Sequence, residues 1–430
     1  MSIAGYDRIL KWAVVAIALI VIAIAGAKMI KSPYAKGDFE AFIHGANAIA
    51  SGADLYATPS RPIAEGGLYY IYLPLFAILL FPLTLLPVEI SIIIWTALNA
   101  FLVYWIVGAF YELVSGKKLA DLGFADKWIV ALVPVLLTGR FLLHHFYYGQ
   151  ANIFVMAVIM LGLKLLNRKR AELGGLCIGI AIVVKMIAAP FAVWLFTRLN
   201  PRELLGLAAG IILGVILVPS LIIGFETNWA YASHWTTGIL LDGGLGTEKV
   251  PIAVNVSIQA LFHRLFEDVP AATINGKPVY FTITVLPATA IRVLEAGFGA
   301  LLLAAICFYR FRFRKSRELV SIWGGVALTF AISTLFAPTA QKHYFVLLLP
   351  AYLYAVYLWR VVGLQDRLFK GLVASSFLLA GFKMDGMLGD KVDGYFFAAS
   401  AISFGALLLA FAILRAAYCL PDVKPGILEN

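Results

Sequence analysis

The sequence predicts an all-α polytopic membrane protein with about twelve membrane segments. The chain has 430 residues, of which 62% are hydrophobic and 13% charged, whereas soluble domains are about a quarter charged. Its mean hydropathy is +0.91, and long apolar runs recur along it. The basic residues lie mainly in short loops between these runs. This is the positive-inside pattern of a membrane protein, so the net charge of +10 does not indicate nucleic-acid binding.

The early apolar runs differ in length. Residues 12–27 are closely followed by further runs and lack a small-residue cleavage site, which predicts a retained helix rather than a signal peptide. Residues 71–86 are broken by prolines and are shorter than the roughly 20 residues that a span requires. We therefore expect an interfacial helix at 71–86 on the outer side, and a true span at 89–112.

The stretch 173–199 has basic flanks at both ends, so it is expected to enter the membrane and return. The predicted break lies near Lys185-Met186 and Pro190, and such a break is tolerated where it lines a cavity. One long tilted helix is the alternative. The other predicted spans are 127–144, 151–166, 203–224, 285–309, 318–336, 343–361, 368–385 and 395–418.

Loop charge also predicts sidedness. Residues 31–70 and 225–286 are expected outside, and both termini inside. The second outer segment is expected to form short surface helices, with a flap or linker at 243–249. The loops expected on the cytoplasmic side contain Lys117-Lys118, Arg168-Lys169-Arg170, Arg198 to Arg202, Arg310 to Arg317, and Arg360 with Arg367 and Lys370.

Asp38 is the leading candidate for a catalytic group. It lies in Gly37-Asp38-Phe39-Glu40, just past the first apolar run and at the head of the first outer loop. A carboxylate there can serve as a general base, and the alternative is an acid that solvates a loop.

Lys185 is the clearest ionisable residue within apolar sequence. Ionisable groups at membrane depth cost about 2.5–3.5 kcal/mol on insertion scales, so each is a functional candidate. Snorkelling to a water boundary is the alternative explanation. Lys342 and His343 open another span from the predicted outer face, and a cationic pair there is a candidate anion site.

A further polar cluster ends one predicted helix and opens the next. Its members are Arg140, His144, His145, Gln150 and Asn152. The two adjacent histidines point in different directions on a helix. Nothing in the histidine spacing predicts a metal site.

Two further features are weaker. Asn255, Ser257 and Gln259 alternate with apolar residues before Arg264. The three cysteines (Cys177, Cys307 and Cys419) lie far apart in apolar sequence and are expected to be core residues rather than disulfide partners.

One acid and several cations are therefore expected to converge on the outer side of the bilayer. This combination suits group transfer from a phosphate leaving group. The carboxylate takes a proton from an attacking hydroxyl, and the cations stabilise the charge that develops on the phosphate.

A series of short motifs along residues 37–350 resembles glycosyltransferase family 87, which has the GT-C fold. The sequence departs from the family pattern at three positions: Leu73, Val256 and Lys342. These departures leave the identity of the sugar and of the acceptor open. The motifs are Gly37-Asp38-Phe39, Gly52-Ala53-Asp54-Leu55-Tyr56, Tyr70-Ile71-Tyr72-Leu73-Pro74, Gly149-Gln150-Ala151-Asn152, Gly175 to Gly179 with Lys185, Asn255-Val256-Ser257-Ile258, and Ala337-Pro338 with Lys342-His343.

The resemblance implies an inverting transferase in the cell membrane with its active site on the extracytoplasmic side. It implies that a sugar, mannose or arabinofuranose, moves from a polyprenyl-phosphate carrier to a lipid-linked or cell-envelope glycan. Asp38 is the implied base, and the implied donor-phosphate residues are Lys185, His343, Lys342 and Arg140. The implied substrate-binding residues are Tyr56, Tyr72, His145, Gln150, Asn152, Asn255 and Gln259.

The expected partners are the donor, the glycan acceptor and the lipid bilayer, without cofactor or nucleic acid. No residue is assigned to a metal, and the metal requirement is left open. A single GT-C membrane domain is expected over 1–430. Within it, 1–224 is a transferase module with outer loop 31–88, 225–285 is an outer loop, and 286–430 is a C-terminal transmembrane module. A flippase or transporter is the alternative class, since it also requires intramembrane Lys and His. A polymerase or ligase of envelope glycans is a third class, for which Arg-rich rather than Asp-led outer loops are expected.

Overall fold

The computed structural model describes residues 3–31, 37–241, 255–274, 276–316, 318–337, 339–382 and 390–420. The predicted flap or linker at 243–249 lies outside these ranges, as does Pro338 of one motif. The described chain is mostly α-helical, which agrees with the predicted class.

Twelve α-helices lie before residue 235 in the part of the chain that the structure describes. They are α1 (Ile3–Lys31), α2 (Gly37–Ser51), α3 (Pro74–Thr84), α4 (Val88–Ser115), α5 (Phe124–Leu137), α6 (Gly139–Tyr148), α7 (Asn152–Asn167), α8 (Ala171–Val184), α9 (Pro190–Phe196), α10 (Pro201–Ile212), α11 (Val218–Ile223) and α12 (Phe225–His234).

Seven more helices and one small sheet follow in the described ranges. The helices are α13 (Ile258–Phe266), α14 (Ala288–Arg312), α15 (Leu319–Phe336), α16 (Leu348–Tyr357), α17 (Arg367–Ser376), α18 (Asp390–Ala398) and α19 (Ala401–Cys419). The antiparallel strands β1 (Ala272–Ile274) and β2 (Lys277–Val279) pair Ala272 with Val279 and Ile274 with Lys277.

Seven described helical segments are long and apolar enough to cross a membrane, or eight if the bent pair α5–α6 is one span. The predicted count of twelve is not confirmed. The seven segments are Gly5–Lys31, Val88–Ser115, Pro201–Ile223, Ala288–Arg312, Leu319–Phe336, Lys342–Val362 and Ala401–Cys419.

The differences from the predicted spans have local causes. At 151–166, helix α7 has only 16 residues. The predicted span at 395–418 is divided, because Ser400 has a φ of 54° and α19 begins only at Ala401. At 368–385, α17 continues as a π-helical turn that ends at Gly381. The expectation of core packing is wrong for Cys307, which is exposed.

Helix α3 has 11 residues and begins at Pro74, the first helical position, where proline costs no hydrogen bond. At about 1.5 Å per residue it is too short to span, as expected, and its interfacial location stays a prediction. Helix α8 ends at Val184, and Lys185 has an extended backbone (φ −156°, ψ 120°). This confirms the predicted break at Lys185 and excludes one continuous helix.

The chain divides into two units, each built from separate stretches of sequence. The first comprises 1–106, 142–188 and 201–248, and the second comprises 107–141, 189–200 and 249–430. In the first unit, α8 packs against α7 and α10, and α2 against α3. In the second, the almost fully buried helices α15 and α16 form the core.

Candidate active site

Asp38 lies in the first turn of α2, where a carboxylate complements the positive end of the helix dipole. The neighbouring Gly37 has a φ of 48°, and a Cβ there would lie 3.0 Å from the ring of Tyr148 and 3.1 Å from its carbonyl oxygen. Glycine therefore allows this helix start to pack closely on Tyr148. Phe39 and Phe42 are fully buried on the inner face of α2 and anchor the helix.

Asp38 is half-buried, and the loss of hydration around its ionised carboxylate raises its pKa from 3.8 to about 6. The Lys185 ammonium opposes this rise, which shows that the two groups are in electrostatic range. A carboxyl group with this pKa is ionised at neutral pH and can accept a proton there, as a general base must.

Lys185 is 7% exposed at the break after α8. Its Nζ lies 3.2 Å from Gln150 Oε1, to which it donates a hydrogen bond. The same Nζ lies 5.6 Å from the centroid of the Tyr72 ring, within the range of a cation–π contact. The structure thus brings together three residues that the sequence placed on separate motifs.

Glycines fix the helix that carries Lys185. A Cβ on Gly175 would lie 2.0 Å from the carbonyl oxygen of Glu203, and one on Gly206 would lie 2.0 Å from that of Glu172. Only glycine permits this backbone approach between α8 and α10, as in small-residue packing of membrane helices.

The turn Gly149–Asn152 packs against the start of α2. Gly149 has a φ of 60°, and a Cβ there would lie 2.6 Å from Phe39 Cβ and 2.7 Å from Met29 Cε. The indole Nε1 of Trp95 donates a hydrogen bond to the Gly149 carbonyl at 2.9 Å. The turn thus links Gln150 to the helix of Asp38, and Asn152 is fully buried at the start of α7.

The two adjacent histidines face different partners, as predicted. His144 stacks on Tyr148 with ring centroids 4.5 Å apart. His145 is 1% exposed, and its Nε2 lies 3.3 Å from Asn99 Oδ1. Asn99 was missed at the sequence level, because a single polar residue inside an apolar run resembles ordinary helix packing.

Tyr56 lies among aromatic and histidine side chains of the same unit. Its hydroxyl donates to the Tyr72 carbonyl at 2.9 Å. The Tyr56 ring stacks on the His234 ring, with the ring centroids 5.2 Å apart. The Tyr231 ring lies edge-on to it, with the centroids 5.6 Å apart. Burial raises the pKa of Tyr56 well above its usual value, so its hydroxyl stays a hydrogen-bonding group rather than an acid.

In the second unit, two of the predicted cations share one aromatic ring. Lys342 Nζ lies 4.2 Å from the centroid of the Phe397 ring, and Arg140 Cζ lies 5.4 Å from it. Arg140 also donates to the Phe382 carbonyl at 3.3 Å. Phe397 was missed, because an aromatic residue in apolar sequence gives no sign of a cationic neighbour. His343 is buried and contacts Tyr344.

Asn255 and Gln259 have structural contacts in this unit. Asn255 Oδ1 accepts from the amides of Ala340 at 3.0 Å and Ser257 at 3.1 Å. Gln259 Nε2 donates to the Leu335 carbonyl at 3.4 Å. Arg264, which is fully buried, donates to the Asn255 carbonyl. The substrate-binding roles of Asn255 and Gln259 stay predictions.

Comparison with known proteins identifies the family. The family model for glycosyltransferase family 87 matches residues 70–319, more than half of the chain. This chain belongs to glycosyltransferase family 87. It is therefore a glycosyltransferase, and its apolar helices are those of a multi-pass membrane protein. No curated protein and no solved structure matches the chain.

The match includes Tyr72, Gln150 and Lys185, whereas Asp38 precedes it. The proposed base is linked to the matched segment by its electrostatic interaction with Lys185 and by the packing of Gly37 on Tyr148 and of Phe39 on Gly149.

Proposed function

We propose that this glycosyltransferase moves a sugar from a polyprenyl-phosphate carrier to a hydroxyl of a lipid-linked or cell-envelope glycan. Mannose is the first candidate sugar, and arabinofuranose is the alternative. The reaction takes place on the extracytoplasmic side of the cell membrane, with Asp38 as general base. The supporting observation is the electrostatic coupling of Asp38 to Lys185, with the pKa of Asp38 raised to about 6.

The proposed chemistry is a single displacement. The acceptor oxygen forms a bond to the anomeric carbon while the bond from that carbon to the phosphate oxygen breaks, and the anomeric centre inverts. Asp38 accepts the proton of the attacking hydroxyl, so the carboxylate must be ionised beforehand. The polyprenyl phosphate departs with the electron pair of the broken bond.

Lys185 is proposed to bind the donor phosphate. A buried ammonium stabilises developing negative charge more strongly than an exposed one, because the surroundings screen it less. The hydrogen bond to Gln150 and the Tyr72 ring orient this ammonium before the donor binds. Tyr56, His145 and Asn152 complete the proposed substrate-binding residues of the first unit.

We also propose that phosphate is bound by Arg140, Lys342 and His343. The proposed substrate-binding residues of the second unit are Asn255 and Gln259. The supporting observation is the pair of cations on the Phe397 ring, since two neighbouring positive charges favour an anion between them. We propose, in addition, that the chain forms a single domain with the GT-C fold. The lipid tail of the donor would lie beside α3.

The decisive experiment offers the purified protein a panel of polyprenyl-phosphate sugars and measures release of polyprenyl phosphate. Wild-type protein should release it from one sugar donor in the presence of a glycan acceptor. Asp38→Asn should lower turnover by about three orders of magnitude or more while donor binding persists, because the base is lost and the pocket retains its shape.

Glu40→Gln is the matched control. Glu40 is two residues from Asp38 but forms an ion pair with Arg61 at 2.9 Å. It should keep most of the turnover. Equal loss in both variants would count against Asp38 as the base. A flippase would keep its lipid flux in Asp38→Asn and release no polyprenyl phosphate from any donor.

A further inference from the structure

A small cavity of about 90 Å³ lies in the second unit, and none of its lining residues belongs to the proposed transferase site. Its walls include two guanidinium groups, two hydroxyls and two large aromatic side chains. They belong to Arg198, Arg310, Ser316, Ser321, Trp194 and Tyr309.

The two arginines in this cavity come from separate parts of the chain. Arg198 follows α9, and its Cζ lies 5.0 Å from the centroid of the Trp194 ring. This cation–π contact orients the guanidinium group. Arg310 lies in the last turn of α14, and the charge of Arg198 acts on it electrostatically. Two like charges this close destabilise each other, and an anion bound between them would offset that cost.

Ser321 gives independent support for a ligand. Its side chain is 1% exposed and lines the cavity, and its Oγ has no hydrogen-bond partner among the described residues. A buried polar atom without a partner requires an explanation, and an absent ligand is one. Ser321 also lies in the first turn of α15, where backbone amides lack partners within the helix and favour an anion.

The size of the cavity limits the ligand. Pockets for whole small molecules begin at roughly 300 Å³, so this cavity fits a single ionised group rather than a nucleotide or an oligosaccharide. Arginine pairs match the geometry of a phosphate, to which each guanidinium donates two hydrogen bonds.

We propose that this cavity binds the phosphate group of an anionic phospholipid head group between Arg198 and Arg310, with Ser321 as a further donor. Arg198 follows α9 and Arg310 lies in the last turn of α14, and both belong to basic clusters that charge assigns to the cytoplasmic side, where anionic lipids attract basic residues. The site would tie activity to lipid composition at the membrane face opposite the proposed chemistry. It does not depend on the identity of the sugar.

The test measures the unfolding temperature of the purified protein in neutral detergent. One arm adds sodium phosphate against sodium chloride at equal ionic strength, and the other adds phosphatidylglycerol against phosphatidylcholine. Phosphatidylglycerol should raise the unfolding temperature and phosphatidylcholine should not. A rise with phosphate as well means that the group alone is sufficient, and a rise with phosphatidylglycerol only means that the lipid is required.

Arg310→Gln should weaken the apparent affinity for phosphatidylglycerol at least tenfold, and Ser321→Ala about threefold, each relative to its own ligand-free protein. Arg314→Gln is the matched control, since Arg314 lies four residues after Arg310, contacts Phe311 and does not line the cavity. It should keep the full shift. The proposal is overturned if chloride matches phosphate and phosphatidylcholine matches phosphatidylglycerol, or if Arg310→Gln and Ser321→Ala both keep the wild-type affinity.

Discussion

The Nζ of Lys185 donates a hydrogen bond to Gln150 Oε1 at 3.2 Å, although the two residues are 35 positions apart in the chain. One lies at the end of α8 and the other in the turn before α7. The contact therefore couples the break after α8 to the turn that packs on the helix of Asp38.

Lys185→Ala should weaken binding of polyprenyl phosphate about 10- to 100-fold, because a charge-assisted hydrogen bond contributes about 1.5–3 kcal/mol. Gln150→Ala should have a smaller effect, of about tenfold or less, since the ammonium remains but loses its orienting acceptor. Inhibition of the reaction by added polyprenyl phosphate measures both. Lys11→Ala, which removes an exposed lysine that pairs with Asp7, should leave inhibition unchanged.

The pH dependence of turnover follows from Asp38. Since the base must be ionised and its pKa is about 6, kcat/KM should rise with pH and reach a plateau above about pH 7. A profile of kcat/KM between pH 4.5 and 8.5 measures this. Glu40→Gln should keep the inflection, whereas an inflection near pH 4 would contradict burial of the Asp38 carboxyl.

The same shift affects stability. The folded pKa of Asp38 lies above its ordinary value, so ionisation of Asp38 lowers the free energy of unfolding as pH rises from about 4 to about 6. Asp38→Asn should therefore be at least as stable as wild type at pH 7, and the advantage should disappear near pH 4. Unfolding temperatures at both pH values test this. The prediction is wrong if Asp38→Asn is less stable than wild type at pH 7 but not at pH 4.

Gly149→Ala should destabilise the protein and weaken donor binding. The new Cβ would overlap Phe39 and Met29, which adds an overpacking cost of about 1–3 kcal/mol to the backbone cost of a positive φ. Gly52→Ala is the control, because Gly52 has a φ of 69° but nothing within 4 Å of a Cβ. Equal losses of unfolding temperature in the two variants would show that the Phe39 contact is unimportant.

Gly206→Ala should also lower the unfolding temperature, because its Cβ would overlap the Glu172 carbonyl and separate α10 from α8. Since α8 carries Lys185, donor binding should fall as well. Gly26→Ala in α1, where a Cβ meets nothing within 4 Å, should keep both properties. Full donor affinity in Gly206→Ala would mean that this helix contact does not position Lys185.

The helical class and the break at Lys185 were predictable from sequence, because they follow from hydropathy, flanking charge and helix length. The span boundaries were less predictable. Ser400 adopts a left-handed conformation that no residue pattern announces, and it moves the start of α19 to Ala401. The β1–β2 hairpin was missed although Asn275-Gly276 is a recognised hairpin dipeptide.

The grouping of candidate site residues was predictable where ionisable residues interrupt apolar sequence, as at Lys185. It was not predictable where apolar side chains position polar ones. Trp95 holds the Gly149 carbonyl, and Phe397 lies beside Lys342 and Arg140. In sequence, both aromatic residues resemble ordinary helix packing, since their role depends on contacts between distant segments.

The division of the chain into interleaved stretches has a consequence for biosynthesis. The first unit requires residues as late as 248, and the second has already begun at 107. A ribosome must therefore translate as far as residue 248 before the first unit holds all of its parts. Early helices of each unit therefore lack some of their packing partners until later segments have been made. Neither unit can be expressed as one uninterrupted fragment of the gene.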